Sequence, residues 1–255
     1  MTFSTWRELY QSEAQAVWSL WVVPAAFLLY LAANRRLPLS SVEPRAAAFM
    51  RAYVLVFAVE TMLDPLAGGP LLRWLGLAGG MLPTVVMVGF VLLGDFRVFF
   101  LVLALLAFAR GTPHLPGVAA RAALWTLVVP VVAVACEATL RALVGETPSQ
   151  SIWLVYELSF VVMALVWRRV IVPARTPSDR LRLRGYLRTV LVYVTVYYAL
   201  WALADVLIMV GGLDAGWALR IVPNQLYYAF YLPFVYALFV SPRYAEASSA
   251  PQTSR

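Results

Sequence analysis

The sequence predicts an all-α fold: a polytopic transmembrane bundle of seven helices, N-terminus outside and C-terminus cytoplasmic. Three observations predict it. Apolar residues make up 62% of the chain and charged residues only 13%, a balance that belongs to membrane proteins rather than soluble domains. Apolar runs of about twenty residues recur, each long enough to span ~30 Å of hydrocarbon. Basic residues gather between some runs and not others, which orients them, because cytoplasmic loops collect Arg and Lys.

Residues 1–15 (MTFSTWRELYQSEAQ) are polar, carry both signs of charge and lack the basic start and cleavage site of a signal peptide. They form an extracytoplasmic segment. The first span is 16–33, closed by Asn34, Arg35 and Arg36. The second is 46–66, closed by Asp64-Pro65 and Gly68-Gly69-Pro70. Residues 71–109 are apolar almost without break, too long for one helix and tight for two. The Arg pattern decides between them. Arg168, Arg169, Arg175, Arg180, Arg182, Arg184 and Arg188 form the richest cluster and belong inside, as do Arg35, Arg36, Arg45 and Arg51. A single crossing between the two groups satisfies both. Residues 71–82 then lie at the outer interface, anchored by Trp74. Pro83 opens the third helix, 83–110, since proline suits a first turn. An eight-helix alternative splits that helix at Gly94-Asp95 and places the Arg-rich loop outside.

The fourth span is 118–142, with Pro130 inside it; the fifth is 152–172 and the sixth 186–210. The seventh is 217–240, with Pro223 and Pro233. Residues 241–255 are small and polar, a disordered cytoplasmic tail. The domain plan is thus a segment 1–15, a membrane domain 16–240 and a tail, without an internal repeat.

Composition excludes several classes. All twenty basic residues are Arg. A retinal Schiff base needs a Lys, so a working rhodopsin is excluded. The net charge of +7 sits where membrane topology wants it and does not mark a nucleic-acid binder. Cys136 is the only Cys and His114 the only His, which rules out an internal disulfide and leaves too few His and Cys ligands for a metal site. His114 is expected in a loop and Cys136 as small apolar packing. No cofactor is expected. The chain belongs in a bacterial inner (plasma) membrane on this reading. Its partners are the lipid bilayer and a cytoplasmic or membrane protein at the Arg-rich loop.

With this topology each polar residue acquires a depth, at ~1.5 Å per residue. Asp95 and Arg97 fall near the midplane. Glu60, Glu157, Asn224 and Gln225 lie slightly outward; Asp64, Glu137 and Asp205 lie further outward. A charge in hydrocarbon costs at least a few kcal/mol and turns toward protein or a wet cavity. The predicted ligand or ion pocket therefore comprises Glu60, Asp64, Asp95, Arg97, Glu157, Asp205, Asn224 and Gln225, opening outward, with Arg97 as its one deep positive group. Glu60 and Asp64, four apart, share a helix face. Asp95 and Arg97, two apart, do not, so each needs a partner on another helix; Glu60 or Glu157 lies at the depth of Arg97. Glu137 and Arg141, four apart, form a structural ion pair. Tyr193, Tyr197, Tyr198 and Trp201, with Tyr227, Tyr228 and Tyr231, bring rings and hydroxyls nearby. Pro223 is expected to free a backbone carbonyl beside Asn224. The competing reading of Asp95 and Arg97 is an ion-pair network that sets helix register. For the tyrosines it is packing and an interfacial belt.

The favoured function is a carrier or channel for a cation, proton or small polar solute, because carboxylates at depth mark such pathways. The sequence contains no motif that specifies a reaction, which favours a non-enzyme. Three alternatives stand beside it: a seven-helix receptor signalling through a separate partner, an intramembrane enzyme acting on a lipid or isoprenoid, and a non-catalytic subunit of a membrane complex.

Overall fold

The computed structural model describes residues 4–34, 44–111, 113–148 and 150–241. The expectations for Arg35, Arg36 and residues 242–255 of the tail lie outside the described residues. Every regular element among the described residues is a helix. They are α1 (Trp6–Gln11), α2 (Ala14–Ala33), α3 (Pro44–Leu66), α4 (Leu82–Ala109), α5 (Leu115–Val144), α6 (Ser151–Val166), α7 (Leu181–Met209) and α8 (Ala215–Asn224). The helices α3, α6 and α8 each run on through a π-helical turn: Ala67–Leu71, Trp167–Ile171 and Gln225–Phe230. Short α-helical pieces follow, Leu72–Trp74, Val172–Arg175 and Tyr231–Val240.

Prolines explain these wide turns. Pro70 lies inside the first, Pro173 just after the second, and Pro223 and Pro233 flank the third. A proline ring clashes with the carbonyl one turn earlier and supplies no N–H. A π turn absorbs both defects without ending the helix.

Five helices, α2, α3, α4, α5 and α7, are long and apolar enough to cross a membrane, which marks an integral membrane protein. Their outward faces, and that of α6, carry Val22, Leu29, Val131, Leu143, Val162 and many other exposed apolar side chains. Apolar surface of that extent fits lipid rather than water. The segment after α3 ends at Trp74, and residues 75–81 form a turn before Pro83 enters the first turn of α4. Helix α4 passes unbroken through Gly94 and Asp95, which overturns the split that an eight-helix count requires.

Sequential helices pack side by side from α2 to α8, and the π turn of α8 closes onto α2. Helix α4 is the most enclosed member. It meets α6 through Phe99 against Phe160 and Trp167, and the lower part of α8 through Tyr227 and Tyr231. Its C-terminal half buries Val98, Leu101, Val102, Ala104 and Leu106 in the core. Helix α5 is the least enclosed, so Cys136 is exposed on it rather than packed. His114 stands on the turn at the head of α5.

The two ends of the bundle differ. At one end α1 lies against the start of α8, because the Asp214 carboxylate accepts the N–H groups of Trp6 at 2.7 Å and Arg7 at 3.2 Å. Tyr10 and Arg7 rest on the Trp217 ring. In α1 itself Glu8 accepts the N–H and O–H of Ser4, which hold its carboxyl below the usual range. At the other end Arg110 donates to the carbonyl of Arg175 at 2.5 Å and Arg184 to that of Pro173 at 3.1 Å. Arg180 pairs with Asp179, and Arg169, Arg182 and Arg188 are exposed there.

Candidate functional site

A cavity of about 340 Å³ opens at the α1 end, between α4, α6, α7 and α8. Its walls include Tyr10, Trp153, Trp201, Glu157, Arg220 and Asn224. Tyr156 and Tyr198 line it as well and donate their hydroxyls to the two oxygens of Asp95, which is wholly buried behind them. Tyr227 and Tyr228 also line the cavity, and against them lies a second charged group built around Arg97.

Arg97 is also wholly buried. Its Nη1 donates to Thr61 Oγ1 at 2.6 Å and lies 3.6 Å from Glu60 Oε2. Its Nη2 donates to the backbone carbonyl of Tyr227 at 2.8 Å. The guanidinium also stands 4.3 Å from the centroid of the Tyr227 ring and 4.7 Å from that of Tyr231. At an effective dielectric of about 20, opposite charges 3.6 Å apart attract by roughly 4–5 kcal/mol. Desolvation costs several kcal/mol for each ion, so the pair alone does not hold Arg97 in place. Thr61, the carbonyl and the two rings supply the remainder. The carbonyl is available because the π turn Gln225–Phe230 turns backbone oxygens toward the core. Tyr193 takes that of Leu226 at 2.8 Å, next to the one taken by Arg97. The freed oxygens thus lie beyond Asn224 rather than at Pro223 itself.

A third group sits at the cavity mouth. Arg220 Nη2 donates to Asp205 Oδ2 at 2.7 Å, stands 2.5 Å from Asp205 Oδ1, and lies 3.8 Å from Glu157 Oε1. Its guanidinium faces the Tyr10 and Trp217 rings at 6.0 and 5.6 Å. Glu157 Oε2 is buried and has no hydrogen-bond partner among the described residues.

The eight residues expected to share one pocket are therefore divided. Glu157 and Asn224 line the cavity; Asp205 lies behind Arg220 and Asp95 behind the tyrosine pair. Glu60, Asp64 and Arg97 stand beyond Tyr227 and Tyr228, with Asp64 against Tyr228. Asn224 bridges Trp201 at 2.8 Å and Tyr10 at 3.3 Å, while Gln225 turns to Ser19 on α2 at 3.0 Å. Asp95 and Arg97 do not pair. Glu137 is remote from the cavity: it accepts bonds from Arg141 at 2.9 Å, Thr147 at 2.5 Å and Ser151 at 2.8 Å, which ties the turn between α5 and α6.

Arg97 is not the one enclosed positive group: Arg220, nearly buried, is a second at the cavity mouth. A signal for it existed. Asp205 and Arg220 lie roughly two helical turns on either side of Gly211-Gly212, which places them at one level of a hairpin. Tyr156, Trp153 and Tyr10 gave no such signal, because an aromatic in an apolar run looks like packing. No protein-family profile, curated protein or solved structure matches this chain.

Proposed function

We propose that the chain is a seven-helix membrane carrier that admits a small polar solute to this cavity from the extracytoplasmic side. The observation that carries the proposal is a cavity lined by aromatic rings and a few charged and polar groups at one end of the bundle, above a packed apolar half. Below Asp95 the core is filled by Leu101, Val102, Trp167, Leu187 and Val190. Packing of that kind argues against an open channel and for a carrier that exposes its site to one side at a time.

The helix count of seven adds the runs 151–175 and 215–240 to the five apolar helices. Each is about 38 Å long at 1.5 Å per residue, enough to cross hydrocarbon despite its π turn. The Arg-rich end containing Arg168, Arg169 and Arg175 orients the bundle with the cavity outside. The prolines and π turn of α8 border the charged groups and supply a place for the helix to bend.

A receptor is the second reading. It draws on α1, whose Tyr10 forms part of the cavity wall while its backbone is held by Asp214. Reconstitution into vesicles separates the two. A carrier gives saturable uptake of a polar solute that Glu157→Gln lowers at least tenfold. Binding without uptake favours the receptor, and neither binding nor uptake across amine, amino-acid and sugar probes contradicts both.

A further inference from the structure

The charges around the cavity are unevenly matched. Asp205 accepts a hydrogen bond from Arg220 Nη2 at Oδ2, with Oδ1 beside the same nitrogen, and balances its charge. Glu157 is then the surplus acid: one oxygen lies 3.8 Å from Arg220, and the other is buried without a partner among the described residues. A buried carboxylate oxygen left unpaired costs about 1–3 kcal/mol or more, which a structure tolerates where a ligand completes the bond.

The walls beside Glu157 are aromatic. Trp153 and Trp201 line the same cavity, with Tyr10 and Tyr227. Flat rings around a carboxylate suit an organic ammonium, whose charge meets the acid and whose carbon substituents meet the ring faces. An anion is disfavoured at the mouth because two carboxylates, Asp205 and Glu157, face the one guanidinium of Arg220, although its Nε–H also has no hydrogen-bond partner among the described residues. A hydrated inorganic ion gains little from indole rings. A volume of about 340 Å³ lies near the lower end of the range for small-molecule sites.

We infer that the cavity binds a small organic cation, with its ammonium group at the Glu157 carboxylate and its carbon substituents against Trp153 and Trp201. This rests on the cavity being a solute site. It does not depend on whether the protein moves that solute across the membrane.

The test uses the full chain in lipid nanodiscs with choline, ethylamine and phenethylamine as probes. The neutral control is 3,3-dimethyl-1-butanol, the uncharged carbon analogue of choline. Binding is read by tryptophan fluorescence and by equilibrium dialysis of labelled choline. The expected result is saturable binding of at least one amine and binding of the neutral analogue roughly tenfold weaker or worse. Glu157→Gln is expected to weaken amine binding by roughly tenfold or more, and Trp153→Leu several-fold. Glu137→Gln, remote from the cavity, is expected to leave it unchanged. If Glu157→Gln does not fold, the wild-type comparison of choline with its neutral analogue and the Trp153→Leu variant decide the question. Failure of all three amines to bind overturns the inference, as does equal binding of the neutral analogue. Amine binding without vesicle uptake supports the inference and removes the carrier. Uptake of another solute without amine binding does the reverse.

Discussion

The Arg97 guanidinium donates to the backbone carbonyl of Tyr227 at 2.8 Å while lying 4.3 Å from the centroid of that residue's ring. One residue of α8 therefore meets a buried charge on α4 with both its backbone and its side chain. Around this contact the polar groups of α3, α4 and α8 become one network. It includes Tyr53, whose hydroxyl donates to the Arg97 carbonyl at 3.0 Å and meets Tyr231 at 3.3 Å.

Removing the guanidinium leaves Glu60 buried, with Thr61 as its hydrogen-bond partner among the described residues. Arg97→Met is expected to destabilise the protein by about 3–5 kcal/mol, the usual cost of orphaning one member of a buried pair. The double variant Arg97→Met/Glu60→Gln recovers part of that loss. Equilibrium unfolding in mixed micelles measures both.

Gly94 is where α4 lets Tyr227 approach. A methyl group there meets the Tyr227 hydroxyl and lies 2.7 Å from its Cζ. Gly94→Ala is expected to cost about 1–3 kcal/mol by overpacking. Tyr227→Phe on that background restores little, because Cζ remains; Tyr227→Leu restores space. Thermal unfolding of the three variants distinguishes this from a helix-propensity effect, since Ala is otherwise the better helix former.

Asp95 accepts from Tyr156 and Tyr198 at the cavity wall. Asp95→Ala leaves two buried hydroxyls unpaired, at about 1–3 kcal/mol each. Adding Tyr156→Phe and Tyr198→Phe is expected to cancel much of that penalty, a coupling that a mutant cycle reads directly.

Glu137 offers a contrast. Arg141 is 60% exposed, so its ion pair contributes little, and the bonds from Thr147 and Ser151 dominate. Glu137→Ala is expected to cost about 1–2 kcal/mol of stability and to leave vesicle uptake unchanged.

Much of the helical plan was legible because hydrocarbon demands long apolar runs, and Pro83 placed the start of α4 to within one residue. The spacing of Asp95 and Arg97 said that they point apart. The partners of those residues were not legible. The Tyr227 carbonyl faces Arg97 only because a π turn redirects it, and sequence gives the prolines without the turn they produce. Depth along a helix also cannot say on which side of Tyr227 and Tyr228 an acid lies. That is why Glu60 and Asp64, expected to share a pocket with Glu157, belong to a different group. Arg220 was hidden by its position near the end of an apolar run, where an Arg is usually taken to reach the headgroups.

The most direct test of the central claim is cysteine labelling in intact cells and inverted vesicles. Cys136→Ala provides the background, with Trp153→Cys in the cavity wall and Ser178→Cys at the Arg-rich end as reporters. A membrane-impermeant thiol reagent is expected to modify Trp153→Cys from outside only, more slowly when choline is present, and Ser178→Cys from the cytoplasmic side only. Labelling of Trp153→Cys from the cytoplasmic side, or from neither side in folded protein, contradicts a wet cavity that opens to the exterior.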